Sequence, residues 1–383
     1  MGVPSPGGFA PSRNWIFVFI ETDVGITGIG EATTEWHEMA VKAMVEQHFR
    51  PMLIGQNPTR ITHLWQILRR SFWWRDGVVA SSAISGIDQA LWDIAGKAYN
   101  LPVYKLLGGA VRDRIPLYAR VDLGLPGLVE EARAAIDEGL SAFKAGGGPG
   151  SFDTGRTSEI GAFDDHALAD VALREFTQLR EAIGPDIQLM IDCGGWYTQQ
   201  AAVKLITGLR PLSLLFIEEP VNADTPTGLV ELRRTFPDQR IAAGERLCGR
   251  WSVREWLERM AVDVLQVDIS HTGGITEMIK VAACAEVYNV LMAPHNPYGP
   301  VAMAASAHAA AVIPNFLILE YCRLRPWFDK VQHFGPVIKA GHIELDDRPG
   351  LGVMLNLDLI EQHPYIPLPV RSNVDRYGAK PLV

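Results

Sequence analysis

IQLMIDCGGWYTQQAAVKLITGLRPLSLLFIEE, residues 187–219, contains a complete strand–helix–strand unit. IQLMID (187–192) is a short apolar run, 199–209 has apolar residues at three- and four-residue spacing, and SLLFIEE (213–219) is a second apolar run. The rhythm continues in both directions. Upstream lie strand IPLYARV (115–121), helix 126–139, strand SAFKA (141–145) and helix 167–183. Downstream, helices 225–235, 251–260, 274–288 and 300–312 precede strands RIAAGE (240–245), VDVLQVD (262–268), VLMAPH (290–295) and NFLILE (315–320). Eight strands alternate with seven helices. Strict alternation of this kind means parallel pairing, and eight parallel strands close a barrel. The predicted fold class is α/β, a modified (β/α)7β TIM-like barrel.

Residues outside this run follow other patterns. NWIFVFIETDVGITGIGE (14–31) reads as two strands turning near Asp23–Gly25, followed by helices over 38–50, 59–71 and 82–99, with Pro51 ending the first. That is a small α+β unit. The predicted division is an N-terminal capping domain (1–113), the barrel (114–325) and a C-terminal segment (326–383) returning to the cap. The polar stretch 147–166 interrupts the barrel after its second strand, on the side where active-site lids sit.

The 383 residues are 48% hydrophobic, enough for a sizeable core, and carry a net charge of −9, which argues against general nucleic-acid binding. No apolar run reaches the ~20 residues of a membrane span. The N-terminus lacks the basic-then-apolar order of a signal peptide, and the four cysteines show no paired spacing. A cytoplasmic protein with a small-molecule partner is expected.

Catalytic groups in such barrels stand at the C-terminal ends of strands. From the second strand onward those ends read Lys144, Asp192, Glu218, Glu245, Asp268, His295 and Glu320. One carboxylate in such a place is ordinarily a surface residue or an ion-pair partner. Asp192, Glu218 and Glu245, however, lie one β/α unit apart, on adjacent strands. Three close carboxylates repel unless a cation neutralises them, and all-oxygen ligation suits Mg²⁺. His295 lies between two prolines, and Asp268 is placed to accept its ring N–H, as in a general acid/base pair. Lys144 either neutralises the carboxylates or joins the chemistry. Glu320 either binds a substrate oxygen or pairs with Arg246 or Lys144.

The segments SAISGIDQALWDIAGKAYNLPVYKLLGG (82–109), MID (190–192), FIEEP (216–220), GER (244–246), QVDISHTGGITE (266–277), APHNPYGP (293–300) and NFLILE (315–320) resemble the enolase superfamily. Within it, the chain resembles the mandelate racemase subgroup and its galactonate/gluconate dehydratase-like branch. The resemblance implies Mg²⁺ on Asp192, Glu218 and Glu245, a His295–Asp268 dyad, Glu320 near the substrate carboxylate, and a homo-oligomer between dimer and octamer. The chemistry it implies is removal of a proton α to a carboxylate.

Two departures bear on the reaction. Racemases of the subgroup carry Lys-x-Lys on the second strand; this chain has Lys144-Ala145-Gly146. Galactonate- and mannonate-type dehydratases carry a histidine two residues after the third-strand aspartate; this chain has Gly194. One face of the cleft thus keeps an evident acid/base group, His295, which disfavours two-base racemisation and leaves a one-base elimination open. The resemblance to the galactonate/gluconate dehydratase-like branch implies dehydration of an aldonic acid to a 2-keto-3-deoxy acid. The alternatives are an epimerase, racemase or cycloisomerase, and a non-catalytic regulatory homologue. His166 and Tyr197 are candidates for a separate general acid. Arg13, Trp36 and His37, in the loops GGFAPSRN and TTEWHE, are candidates for reading the distal end of the substrate. The start of the chain, at the first of these loops, reads as lacking one strand.

Overall fold

The computed structural model describes residues 2–3, 13–121, 127–148, 164–323 and 327–367, with the backbone alone at 2, 3 and 13. Strand β1 (Gly2–Val3) pairs antiparallel with β2 (Arg13–Asn14), so a short strand does precede the first loop. β3 (Phe17–Glu21) and β4 (Thr27–Glu31) form the expected hairpin. Helix Val78–Tyr99 packs across it at very close range. A Cβ on Gly30 would lie 1.9 Å from the carbonyl oxygen of Gly86, so only glycine permits this crossing. The expected helix stop at Pro51 is corrected. A π-helical turn at Met44–Phe49 leads directly into helix Arg50–Leu53, so the helical stretch runs through Pro51 instead of stopping before it.

The barrel strands are β5 (Arg114–Val121), β6 (Ala142–Gly146), β7 (Gln188–Asp192), β8 (Ile217–Glu218), β9 (Ile241–Ala243), β10 (Val264–Leu265), β11 (Leu291–Met292) and β12 (Leu319–Cys322). They pair in parallel from β5 to β11, and β12 pairs back onto β5. A bridge between Met292 and Phe316 closes the circuit. Among the described residues, seven helices alternate with them, from Gly127–Asp137 to Pro300–Val312. Several strands are shorter than their apolar runs suggest.

Tyr118, Ala142, Met190, Phe216, Ala242, Val264, Ala293 and Ile318 form one buried cluster inside the barrel. Side chains alternate along a strand, so the residue two positions on points the same way. Those residues are Arg120, Lys144, Asp192, Glu218, Gly244, Gln266, His295 and Glu320. An apolar plug therefore carries a polar layer directly above it.

The described part of the C-terminal segment packs against both barrel and cap. Its strand β15 (His342–Glu344), preceded by β13 (Gln332–Phe334) and β14 (Val337–Lys339), pairs antiparallel with the start of β5. Gly350 then exchanges backbone hydrogen bonds with Leu101 and Val103. Buried Asp93 accepts the N–H groups of both Ile29 and Leu351, tying cap hairpin and C-terminal segment to one helix. No described helix is long and apolar enough to cross a membrane.

Candidate active site

Asp192 and Glu218 end adjacent strands in register with each other. Glu245 lies two residues beyond β9, after a turn at Gly244 with φ +133°. A Cβ at Gly244 would meet Leu265 at 3.0 Å and the Gln266 nitrogen at 3.1 Å, so glycine is required for this turn. Lys144, fully buried, reaches Glu218 at 2.6 Å and Glu320 at 3.3 Å. Arg120 bridges Asp192 at 3.2 Å and Glu320 at 3.4 Å. Gln266 Nε2 donates to Glu218 Oε2 at 2.7 Å.

Buried Asp268 stands 2.7 Å from His295 Nδ1. The other ring nitrogen, Nε2, faces Glu245 at 3.6 Å and Glu320 at 4.0 Å. Asp268 is itself oriented by the Ser270 N–H at 2.6 Å. Glu320 accepts the Asn296 N–H at 2.9 Å, which fixes the residue next to the histidine.

Burial and the neighbouring Asp192 carboxylate push Glu218 up to about 7, although Lys144 pulls the other way. Burial lowers the affinity of Lys144 for its proton, but Glu218 and Glu320 outweigh it and hold the ammonium well above its ordinary value. Burial would raise Glu320, yet Lys144, His295 and Arg120 together hold it far below the usual carboxylate range. Burial likewise opposes a charged His295, and Glu245, Glu320 and Asp268 overcome it, raising the imidazole to about 10.

These residues fit a hard cation in donor chemistry. Among the described residues, no three His, Cys, Asp or Glu side chains are drawn into a closed cage, since Arg120 and Lys144 hold Asp192 and Glu218. Glu218 Oε1, however, is buried without a hydrogen-bond partner, and a metal ion is the kind of partner such an oxygen awaits. The carboxylate crowding that raises Glu218 is the repulsion a divalent ion would relieve.

The structure thus gathers Lys144, Asp192, Glu218, Glu245, Asp268, His295 and Glu320 at one mouth. The outer candidates fare differently. Tyr197 is buried and donates its hydroxyl to the Gly147 carbonyl, so as an acid it is already committed to the backbone. His166 is exposed in the first turn of helix Asp165–Ile183, where its carbonyl accepts Lys204. Trp36, at φ 62°, and exposed His37, whose ring Nδ1 lies 3.2 Å from the Glu35 carbonyl, occupy the cap loop. The side chain of Arg13 and residues 149–163 of the insert lie outside the described residues. Arg120 and Gln266 were missed by sequence reasoning. The signal was available for Arg120: it is the charged residue near the end of the first barrel strand, IPLYARV, which the reading of strand ends left out.

A capped barrel with carboxylates, lysine and an Asp-held histidine at its mouth is the architecture of an enolase-type enzyme. Residues 127–359 match the family described as enolase C-terminal domain-like, and residues 10–108 match the mandelate racemase/muconate lactonizing enzyme N-terminal domain. D-galactonate dehydratase of Verminephrobacter eiseniae is 39% identical over 358 residues, 90% of each chain, and that of Ralstonia pickettii is 38% identical over 353, again 90% of each. An enolase structure from Agrobacterium radiobacter, holding sodium and L-malate, superposes with TM-score 0.85 at 32% identity, over 97% of this chain and 96% of that one. A mandelate racemase/muconate lactonizing enzyme-like protein from Rubrobacter xylanophilus gives TM-score 0.85 at 30% identity, over 96% of both chains. The chain belongs to the mandelate racemase/muconate lactonizing enzyme family of the enolase superfamily.

Proposed function

We propose that this protein is a Mg²⁺-dependent dehydratase of an aldonic acid of the galactonate or gluconate type. The observation that carries the reading is the His295–Asp268 pair, whose free nitrogen faces the carboxylate cluster. Its similarity to D-galactonate dehydratases along 90% of the chain supports the substrate class.

Asp192, Glu218 and Glu245 would hold the Mg²⁺, which when bound neutralises them and polarises the substrate carboxylate. His295 Nε2, which sheds its extra proton when the charge of Glu245 is neutralised, takes the proton from the α-carbon. Asp268 fixes the ring orientation and stabilises the imidazolium that results. The electron pair left at the α-carbon expels the β-hydroxyl, which departs as water after taking a proton. The resulting enol tautomerises to the 2-keto-3-deoxy acid. Lys144 and Arg120, on the other side of the mouth, are both engaged by carboxylates. With Gly146 and Gly194 at the positions that carry bases in relatives, the described cleft offers a base on one face, which suits elimination better than two-base epimerisation. His295 itself can return its proton to the departing hydroxyl.

The test is incubation of the purified protein and Mg²⁺ with a panel of aldonic acids, D-galactonate and D-gluconate included, with detection of 2-keto acid. Keto acid from at least one aldonate supports the proposal. Conversion of none, with turnover of a different acid by isomerisation, would overturn it.

A further inference from the structure

The turn that follows Asp268 carries a second buried histidine, His271, which the reaction above does not use. Its backbone N–H bonds to the Asp268 carbonyl at 3.1 Å, which fixes it relative to the proposed dyad. Its ring joins two other parts of the fold. Nδ1 lies 2.8 Å from Ser82 Oγ, in the cap helix Val78–Tyr99, and Nε2 lies 2.9 Å from the hydroxyl of Tyr298. Ser82, His271 and Tyr298 are all buried. Tyr298 follows His295 by three residues, and its ring meets the His295 ring edge-on, with centroids 6.2 Å apart and an interplanar angle of 87°. His271 in turn meets Tyr298 edge-on at 5.4 Å.

A neutral imidazole satisfies both neighbours, one nitrogen donating and the other accepting, because Ser and Tyr hydroxyls can each do either. Burial favours that neutral form. The Ser81 hydroxyl adds a bond to the His271 carbonyl at 2.6 Å, so main chain and side chain are both clamped by the cap. Deleting the ring would leave two buried hydroxyls without this partner and remove one of the contacts that hold Tyr298 against His295.

We infer that His271 is a positioning residue, holding Tyr298 against His295 and linking that contact to the capping helix through Ser82. It does not touch the reacting atoms. The kinetic consequence rests on the reading of His295 as the base; the geometric one does not. A misaligned base slows the proton transfer and leaves substrate binding nearly unchanged.

The test uses the side-chain lengths of two amides. In His271→Gln the amide reaches the position of Nε2 and retains the Tyr298 bond; in His271→Asn it reaches that of Nδ1 and retains the Ser82 bond. Positioning predicts that Asn lowers kcat at least 10-fold with KM changed less than 3-fold, that Gln restores most of the loss, and that Tyr298→Phe combined with Asn is no worse than Asn alone. The same pattern is read without turnover in proton–nitrogen spectra of histidine-labelled protein. The His295 ring resonances should move in Asn and Tyr298→Phe but stay near wild type in Gln. If Asn and Gln behave alike, or if losses follow thermal stability, the inference is wrong. If the wild type turns over no acid sugar while the spectral pattern holds, the proposed function fails and the positioning role stands.

Discussion

Asp268 and His295, 27 positions apart in sequence, meet at 2.7 Å because they leave neighbouring barrel strands at the same mouth. The bond occupies Nδ1 and leaves Nε2 to face Glu245 and Glu320. A positioned general base is worth about 10²–10⁴ in rate. His295→Asn should lose at least that factor in α-proton exchange with solvent deuterium, while Asp268→Asn should also impair it through loss of the orienting acceptor. Near-normal exchange in His295→Asn would move the base elsewhere.

The unpartnered Oε1 of Glu218 predicts how the metal site behaves. Exhaustive chelation should abolish turnover, and added Mg²⁺ should restore it. Glu218→Gln should weaken Mg²⁺ binding in calorimetry and reduce turnover with it. Full activity of chelated wild type would remove the metal from the mechanism.

With its evident base on one side, the cleft should release product without scrambling the substrate. Chiral analysis of recovered aldonate at partial conversion should find keto acid and little epimer. A dominant epimer fraction would favour the isomerase reading.

Lys144 is buried between Glu218 and Glu320, so removing its charge leaves carboxylates uncompensated. Breaking such a pair from one side costs about 3–5 kcal/mol. Lys144→Met should lower the thermal midpoint clearly, and adding Glu218→Gln should recover part of it. Equal melting of Lys144→Met and wild type would show that the pair contributes nothing to stability.

Asp88, on the cap helix, accepts the Thr276 N–H at 2.9 Å, and burial pushes its carboxyl up to about 7. In the unfolded chain its value lies near 4. Between those limits the folded state binds the extra proton, so this group's contribution to stability falls as pH rises from about 4 to about 7. The loss above pH 7 is on the order of 4 kcal/mol at most. Asp88→Asn keeps an acceptor and removes the titration. Denaturant unfolding at pH 4.5 and pH 8 should show the variant gaining on wild type at the higher pH. A difference that does not change with pH would place the proton elsewhere.

The amino-acid sequence by itself determined the barrel, its cap and the strand ends that bear the proposed chemistry. Those features follow from local periodicity: alternating apolar strands and helices place Asp192, Glu218, His295 and Glu320 two residues above the barrel's apolar layer. Tertiary structure alone decided which partners those side chains take. Lys144 reaches Glu218 across 74 positions, and His271 reaches Ser82 across 189. Nothing in the spacing of YTQQ marks the Tyr197 hydroxyl for the Gly147 carbonyl, and nothing in HTGG marks the His271 ring for a cap serine. Periodicity fixes the face on which a side chain lies. Its hydrogen-bond partner depends on which distant segment packs against that face, and here the closed barrel and its cap make that choice.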